Sequence, residues 1–532
     1  MAKRFSLLGF LQRHSRLAFL LGAIVLSFVT VFLSNGLSNI IIYPNFRTDQ
    51  FVQDPEFFYL FASLMLKGKT PYIDLFDHKG LYIFWFHALG QLMGGSAPRV
   101  GLFFLEVLNF IPVFYFMFLI FETIGLGKKT SCLWVLFFSA VFIIQIQGAS
   151  DEEIELPSVV IPLYFYIRGL LRKNDTDLMI GNIFFGVSAG ICLNLRPSDA
   201  MFALGAVIFY AIHMFYQKKW RLVLRDAALC LGALILTSLP AYIAAATGGY
   251  LNAMFQSVII DSFRYVGNVS SPTSFLTVSS RVAVGTAFVL FGGILAYLYK
   301  RIDRGEWHFY AVGLLFVAPL QFFIGLFAHY WIMAYPYLIL VLARFVQNLP
   351  KVQKSKGWKI GLASACLAFF VACSAFWPTI YYAGGQAQAD VDTIAYVKKT
   401  ISEDDRKNEH VLAIDGNMGV YNGAGIIPGT KDFGMQSWHS VLDDTLVPRL
   451  EDYLLSGQIH YVIMDEVVED NEHTLGDFVE NNPQNFQLVD TKETCPYIDI
   501  NGAGISLRRP KFALKKERPK KSGGSCCKRR AA

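Results

Sequence analysis

Apolar runs long enough to cross a bilayer recur through the first 376 residues of this 532-residue chain, and short basic clusters punctuate them. A helix needs about 20 apolar residues to span the hydrocarbon core. The pattern predicts a polytopic α-helical membrane protein. Composition agrees: 54% of residues are hydrophobic and 47 are Phe. Only 17% are charged, against roughly 25% in soluble domains. The net charge of +6 comes from the loops between runs and from a basic C-terminal tail, so it implies no nucleic-acid partner. The first run follows Lys3, Arg4, Arg13 and Arg16 and continues to Tyr43. It exceeds a signal-peptide core and lacks a small-residue cleavage site, so it reads as a retained helix. No cysteine spacing resembles a zinc site.

Basic clusters order the helices, because Lys and Arg concentrate in cytoplasmic loops. The first helix runs outward from Leu17 to Tyr43, and a long outer loop follows over 44–99. Later helices return to Lys128 and Lys129, to Arg168, Arg172 and Lys173, to Lys218, Lys219, Arg221 and Arg225, and to Lys300, Arg301 and Arg304. Between them lie an acidic outer loop, Asp151–Glu155, a helix end at Arg196–Pro197 and a second long outer loop, Gly248–Ser280. A hairpin near His329, Tyr330 and Trp331 and a last helix, Ile360–Phe376, complete about eleven spans. The N-terminus is then cytoplasmic and the chain after residue 376 extracytoplasmic. Leu81–Met93 is apolar but holds His87 and Gln91 and lacks a basic inner flank. As a span it would invert every later loop, so it reads as an interfacial or re-entrant helix.

Residues 377–510 have the composition of a soluble domain. Val391–Ile401 patterns as an amphipathic helix, Val411–Asp415 and His460–Met464 as buried strands, and Leu475–Glu480 as a helix. Alternating strands and helices predict a small α/β layer. The basic run over 511–532 reads as a disordered tail, either simply solvated or in contact with anionic lipid or wall polymer.

Chemistry-bearing residues concentrate in the first outer loop: Asp54, Glu56, Asp74, Asp77, His78 and Lys79. Phe57–Lys67 is largely apolar and would lie along the interface, holding these acids at headgroup level. A carboxylate there can act as general base on a hydroxyl or amine. A lysine beside it can neutralise a phosphate. The alternative for each acid is a solvated loop carboxylate. Arg196 and Arg264 can pair a phosphate or sit at the interface as amphipathic anchors. His329 can bind or simply pack.

The loop resembles the first extracytoplasmic loop of GT-C glycosyltransferases, in the branch of protein mannosyltransferases and the lipid A aminoarabinose transferase. The matching residues are Asp54, Gly68 fourteen positions on, Pro71–Tyr72, Asp74, and the run Asp77, His78, Lys79, Gly80. Weaker likenesses follow at Glu152 and Glu153, at the helix ending in Arg196–Pro197, and at His329 with Tyr330. Two departures stand out: Pro55 separates Asp54 from Glu56, and Leu81 follows Gly80 where many relatives have Pro.

The resemblance implies catalysis by Asp54, with Glu56 beside it, and donor-phosphate binding by Lys79, helped by Arg196, His329 and Tyr330; Arg264, in the second outer loop, is a further candidate phosphate partner. Asp74, Asp77, His78, Glu152 and Glu153 would support them. It implies an inverting transfer from a polyprenyl-phosphate sugar to a glycan, lipid or protein of the cell envelope, among membrane lipids. A phosphate leaving group beside a fixed lysine requires no cofactor. Some relatives use a divalent metal, and Asp54 with Glu152 or Glu153 could hold one. The rival readings are a transporter or flippase of lipid-linked glycans and a non-catalytic wall-assembly protein. Transporters place charges at the bilayer midplane, whereas the acids here cluster toward one face.

Overall fold

The computed structural model describes residues 15–34, 53–145, 148–262, 264, 275–324, 332–349, 394–414, 418–434, 443–465, 478, 486–493, 497–499, 506–508 and 511–517. By internal contacts the chain divides into two units. The first comprises Met1–Arg47, Asp54–Ile73 and Asp77–Tyr381; the second comprises Thr48–Gln53, Asp74–Phe76 and Tyr382–Ala532.

The first unit is helical. Its helices are α1 Ser15–Ser34, α2 Gln53–Leu66, α3 Leu81–Gly94, α4 Pro98–Thr123, α5 Lys128–Gln145, α6 Asp151–Arg172 and α7 Asp175–Leu193. After a 3-10 turn at Pro197–Ala200 come α8 Met201–Tyr216, α9 Trp220–Thr247 and α10 Leu251–Phe255, then α11 Phe275–Leu298, α12 Arg304–Ile324 and α13 Tyr335–Gln347. Among the described residues, five helices are long and apolar enough to cross a membrane: α4, α6, α7, α8 with its preceding turn, and α9. On α9, Leu224, Leu231, Ile235, Leu236 and Ile243 are exposed. A surface this apolar suits lipid rather than water, as expected of a multi-pass membrane protein.

Aromatic packing fills the interior. Phe110 and Phe114 of α4 meet Phe138 and Phe142 of α5, with the Phe138 and Phe142 ring centroids 4.6 Å apart. Helix α3 has 14 residues, about 21 Å at 1.5 Å per residue, short of a hydrocarbon core of about 30 Å. It lies close against α4 because small residues meet there. A Cβ on Gly101 would fall 2.1 Å from the Gly90 carbonyl oxygen and 2.2 Å from the Gly94 nitrogen.

Where α12 meets α13, a buried ion pair is fully matched. Arg344 Nε and Nη2 each donate to Glu306 at 2.5 Å, and the Tyr310 hydroxyl donates to Glu306 at 2.8 Å. Arg344 Nη1 donates to the Ile124 carbonyl at 3.0 Å and to Gln347 Oε1 at 2.7 Å.

The second unit carries strands β1 Val411–Ile414, β2 Tyr461–Asp465, β3 Phe486–Glu493, β4 Tyr497–Asp499, β5 Ser506–Arg508 and β6 Lys511–Glu517. The main sheet runs β1-β2-β6-β3, with β1 and β2 parallel and β6 antiparallel to both its neighbours. Parallel strands need a crossover. It includes helix Leu446–Leu455, which buries Leu446, Leu450 and Leu454 at helical spacing.

Several expectations need correction. Asp151–Glu155 is the first turn of α6 rather than a loop, since acids are favourable against the positive end of a helix dipole. Part of the second outer loop is helical, over α10 and the π-turn Gln256–Asp261. The basic tail begins as β6, where Phe512 and Leu514 recur at strand period between Lys511, Ala513 and Lys515. The first helix is described to Ser34. The expected helices at Ile360–Phe376 and at most of Leu475–Glu480 lie outside the described residues.

Candidate functional site

Helix α2 opens with Asp54, Pro55 and Glu56. Proline is tolerated in a first turn, and acids there complement the helix dipole. Residues two apart point to different helix faces, and the two acids part accordingly. Glu56 is 1% exposed and accepts from Arg99 Nη2 at 2.5 Å, while the Arg99 guanidinium lies 3.6 Å over the Tyr59 ring. Asp54 stays half-buried, with no hydrogen bond or ion pair among the described residues. Burial pushes its carboxyl above the usual aspartate range, Lys79 pulls it back, and Asp151 and Asp77 push it up again.

The segment from Gly68 to Gly80 delivers Lys79. The Tyr72 hydroxyl donates to the Lys79 carbonyl at 2.8 Å, and Asp77 Oδ1 accepts the backbone N–H groups of His78 at 2.6 Å and Lys79 at 3.2 Å. Asp77 thus folds the turn that presents Lys79. Gly80 and Tyr82 are tied to the residues just past α7: Gly80 N–H donates to the Leu195 carbonyl and Tyr82 N–H to the Asn194 carbonyl, each at 2.9 Å. Only glycine fits this approach, since a Cβ on Gly80 would stand 2.2 Å from the Asn194 carbonyl carbon. The tie sets Lys79 beside Arg196.

The first turn of α6 meets these two cations. Lys79 Nζ lies 2.7 Å from Asp151 Oδ2, and Arg196 Nε lies 3.9 Å from the same oxygen. Arg196 Nη1 also donates to Glu152, and Nη2 donates to Asp199 at 2.8 Å. One helical turn on from Asp151, Glu155 is fully buried, and neither of its oxygens receives a hydrogen bond among the described residues. Burial alone would lower the Lys79 ammonium; the Asp151 carboxylate overturns this and holds it above the usual lysine range. Among the described residues, four carboxyl groups, Asp151, Glu152, Glu155 and Asp199, face two cations, Lys79 and Arg196. A low-dielectric pocket does not hold such an excess unaided.

The remaining predicted residues divide. His78 lies against Asp77 at 3.2 Å, and its carbonyl accepts from Ser262 Oγ at 3.3 Å. Glu153 accepts the Gly148 N–H at 3.0 Å. Arg264 is exposed, 3.7 Å from Asp261. Asp74 belongs to the second unit. His329 and Tyr330 lie outside the described residues.

Sequence reasoning did not single out Asp151, Asp199, Glu155 or Arg99. A signal for Asp199 was present in the spacing Arg196–Pro197–Ser198–Asp199, an acid three residues after a cation in a helical turn. Arg99 carried none, being 43 residues from its partner Glu56.

No protein-family model matches the sequence, and no curated protein matches it. Solved structures match in shape. ArnT from Cupriavidus metallidurans bound to undecaprenyl phosphate aligns with a TM-score of 0.58 at 11% identity, over 96% of this chain and 98% of its own. The same protein in the apo state gives 0.52 at 11% identity, over 93% and 97%. An Archaeoglobus fulgidus oligosaccharyltransferase complexed with zinc and sulfate gives 0.42 at 12% identity, over 84% and 68%. The chain shares the fold of the two ArnT structures.

Proposed function

We propose that this chain is an inverting glycosyltransferase that takes a sugar from a polyprenyl phosphate at the outer membrane face and passes it to a cell-envelope acceptor. The observation that carries this reading is the pairing of Asp54, a carboxylate with no hydrogen bond among the described residues, with the electrostatic field of a buried lysine, Lys79. The shared fold supports it, as does the undecaprenyl phosphate bound by the ArnT structure of the same shape.

In this mechanism Asp54 accepts the proton of the acceptor hydroxyl or amine. The freed nucleophile attacks the anomeric carbon as the bond to the phosphate oxygen breaks, and polyprenyl phosphate leaves with that electron pair. Lys79 spends one of its three N–H groups on Asp151, so two remain for phosphate oxygens. Arg196 shares that Asp151 oxygen and is placed to help. Charge stabilisation of this kind is often the largest catalytic contribution. Glu56, engaged by Arg99, holds α2 in position and sets the direction of Asp54. Metal use at Asp54 with Glu152 or Glu153 remains a separate proposal, tested by activity after chelation.

The proposed layout keeps eleven spans over 1–376 with a cytoplasmic N-terminus and an extracytoplasmic α/β domain from 377. Purified protein given labelled polyprenyl-phosphate sugars and envelope extract should transfer label, and Asp54→Asn protein should not. Absence of transfer by wild type, or equal transfer by the variant, ends this reading.

A further inference from the structure

Three side chains of the second unit converge where no part of the transferase reading applies. His410 immediately precedes β1 and His460 immediately precedes β2. These strands are parallel neighbours, and the His460 N–H donates to the His410 carbonyl at 2.8 Å. The parallel register therefore sets the two imidazoles side by side, with ring centroids 4.0 Å apart and planes 40° apart. Asp405 arrives from the short helix Glu403–Lys407. Ser402 caps that helix by accepting the Asp405 N–H at 3.0 Å, and its hydroxyl also lies 2.7 Å from Asp405 Oδ2. The other oxygen, Oδ1, faces both rings, 2.6 Å from His460 Nδ1 and 3.4 Å from His410 Nδ1. All three ligand atoms lie within 4.8 Å of one another.

Two ligands of a tetrahedral zinc ion, bonded at about 2.0–2.1 Å, stand about 3.3–3.4 Å apart. The Asp405–His410 separation of 3.4 Å already fits. The His460 contact of 2.6 Å is a hydrogen bond, and a ring rotation opening it by roughly 0.7 Å would bring it into range. We propose that Asp405, His410 and His460 bind a divalent transition-metal ion, zinc by donor set, with water or an external ligand in the fourth position. Each imidazole binds through Nδ1 as the neutral ring, its proton on Nε2. The ion joins the helix Glu403–Lys407 to the starts of both parallel strands, so binding stabilises this unit by mass action.

The test uses the full-length chain in detergent, stripped with chelator and titrated with cobalt(II). A saturable four-coordinate visible spectrum at one equivalent is expected, displaced by zinc, lost in His410→Asn and in His460→Asn, and retained in Asp54→Asn. Absence of such a spectrum in wild type overturns the site, as does its persistence in both histidine variants. Should those variants fail to fold, wild type alone decides. Zinc should protect His410 and His460 several-fold against diethyl pyrocarbonate, read by mass spectrometry. Unchanged labelling would mean an Asp–His hydrogen-bond cluster that takes no metal, and the proposal fails. Neither arm depends on transferase activity, so this site and the transferase reading stand or fall separately.

Discussion

Two buried charge clusters in the helical unit obey the same electrostatics and differ in arithmetic. At Glu306 and Arg344 one acid meets one base. Both carboxylate oxygens are engaged, and the guanidinium spreads its remaining donors over Ile124 and Gln347. Around Lys79 and Arg196, among the described residues, the acids outnumber the cations, and Glu155 and Asp199 keep oxygens without donors. They lie toward opposite ends of α6. Asp151–Glu155 forms its first turn, while Tyr166, near its last, packs with a 5.5 Å ring separation on Phe309, three residues from Glu306. A closed pair fixes helices. An open cluster keeps electrostatic capacity for something that arrives, which is why the proposed chemistry is placed there.

The sharpest break of this contrast is Asp54→Asn. Transfer should fall about 10²–10⁴-fold, the usual worth of a positioned general base, while the melting temperature holds or rises. The sign follows from its raised carboxyl. The folded chain keeps this proton to higher pH than the unfolded chain does, so ionisation costs stability as pH rises through the folded value. Removing the charge removes that cost. A lower melting temperature would make Asp54 a structural acid.

Arg344→Met should give the converse. Leaving Glu306 buried and unpaired costs about 3–5 kcal/mol, visible as a lower melting temperature, while the protein that remains folded keeps its turnover. A turnover loss at unchanged stability would erase the distinction between the clusters. Lys79→Met combines both effects, because it removes the phosphate's cation and strands Asp151. Transfer should drop roughly 10²–10³-fold at saturating donor, comparable to losing one oxyanion donor. Melting-temperature measurements on the same samples separate lost catalysis from lost fold.

The smallest effect is on the pH profile. Activity requires ionised Asp54, so it is present above the raised folded pKa and lost as pH falls through it. The acid limb should therefore lie above that of an ordinary aspartate. Lys79 pulls this carboxyl down, so in residual Lys79→Met activity the limb should move to still higher pH. A limb that stays in place would separate Lys79 from Asp54 electrostatically.

The helices were legible because long apolar runs have one main use and basic clusters mark their ends. The spacing of Asp54, Gly68 and Gly80 was visible in the sequence, and the structure gives Gly80 a steric reason for its place. What sequence could not supply was partnership. Asp151 sat in plain view within an acidic run, but charge density suggested a solvated loop, and only the fold reveals the lysine 72 positions away that engages it. Glu56 looked like the twin of Asp54 until helix geometry turned it toward Arg99. Lys511–Glu517 was hidden by composition: its lysines suggest disorder, whereas the alternation of Phe512 and Leu514 signals a strand.

That strand has a consequence for how the chain is made. β6 lies between β2 and β3, yet among the described strands it comes last in the sequence. The helices of the first unit can enter the membrane while β2 and β3 still lack the neighbour that joins them. The sheet closes only after residues 511–517 emerge, so truncation before Lys511 should leave two strand edges for chaperones and proteases to find. A tag fused immediately after Glu517 would extend the middle strand of the sheet, not a free end.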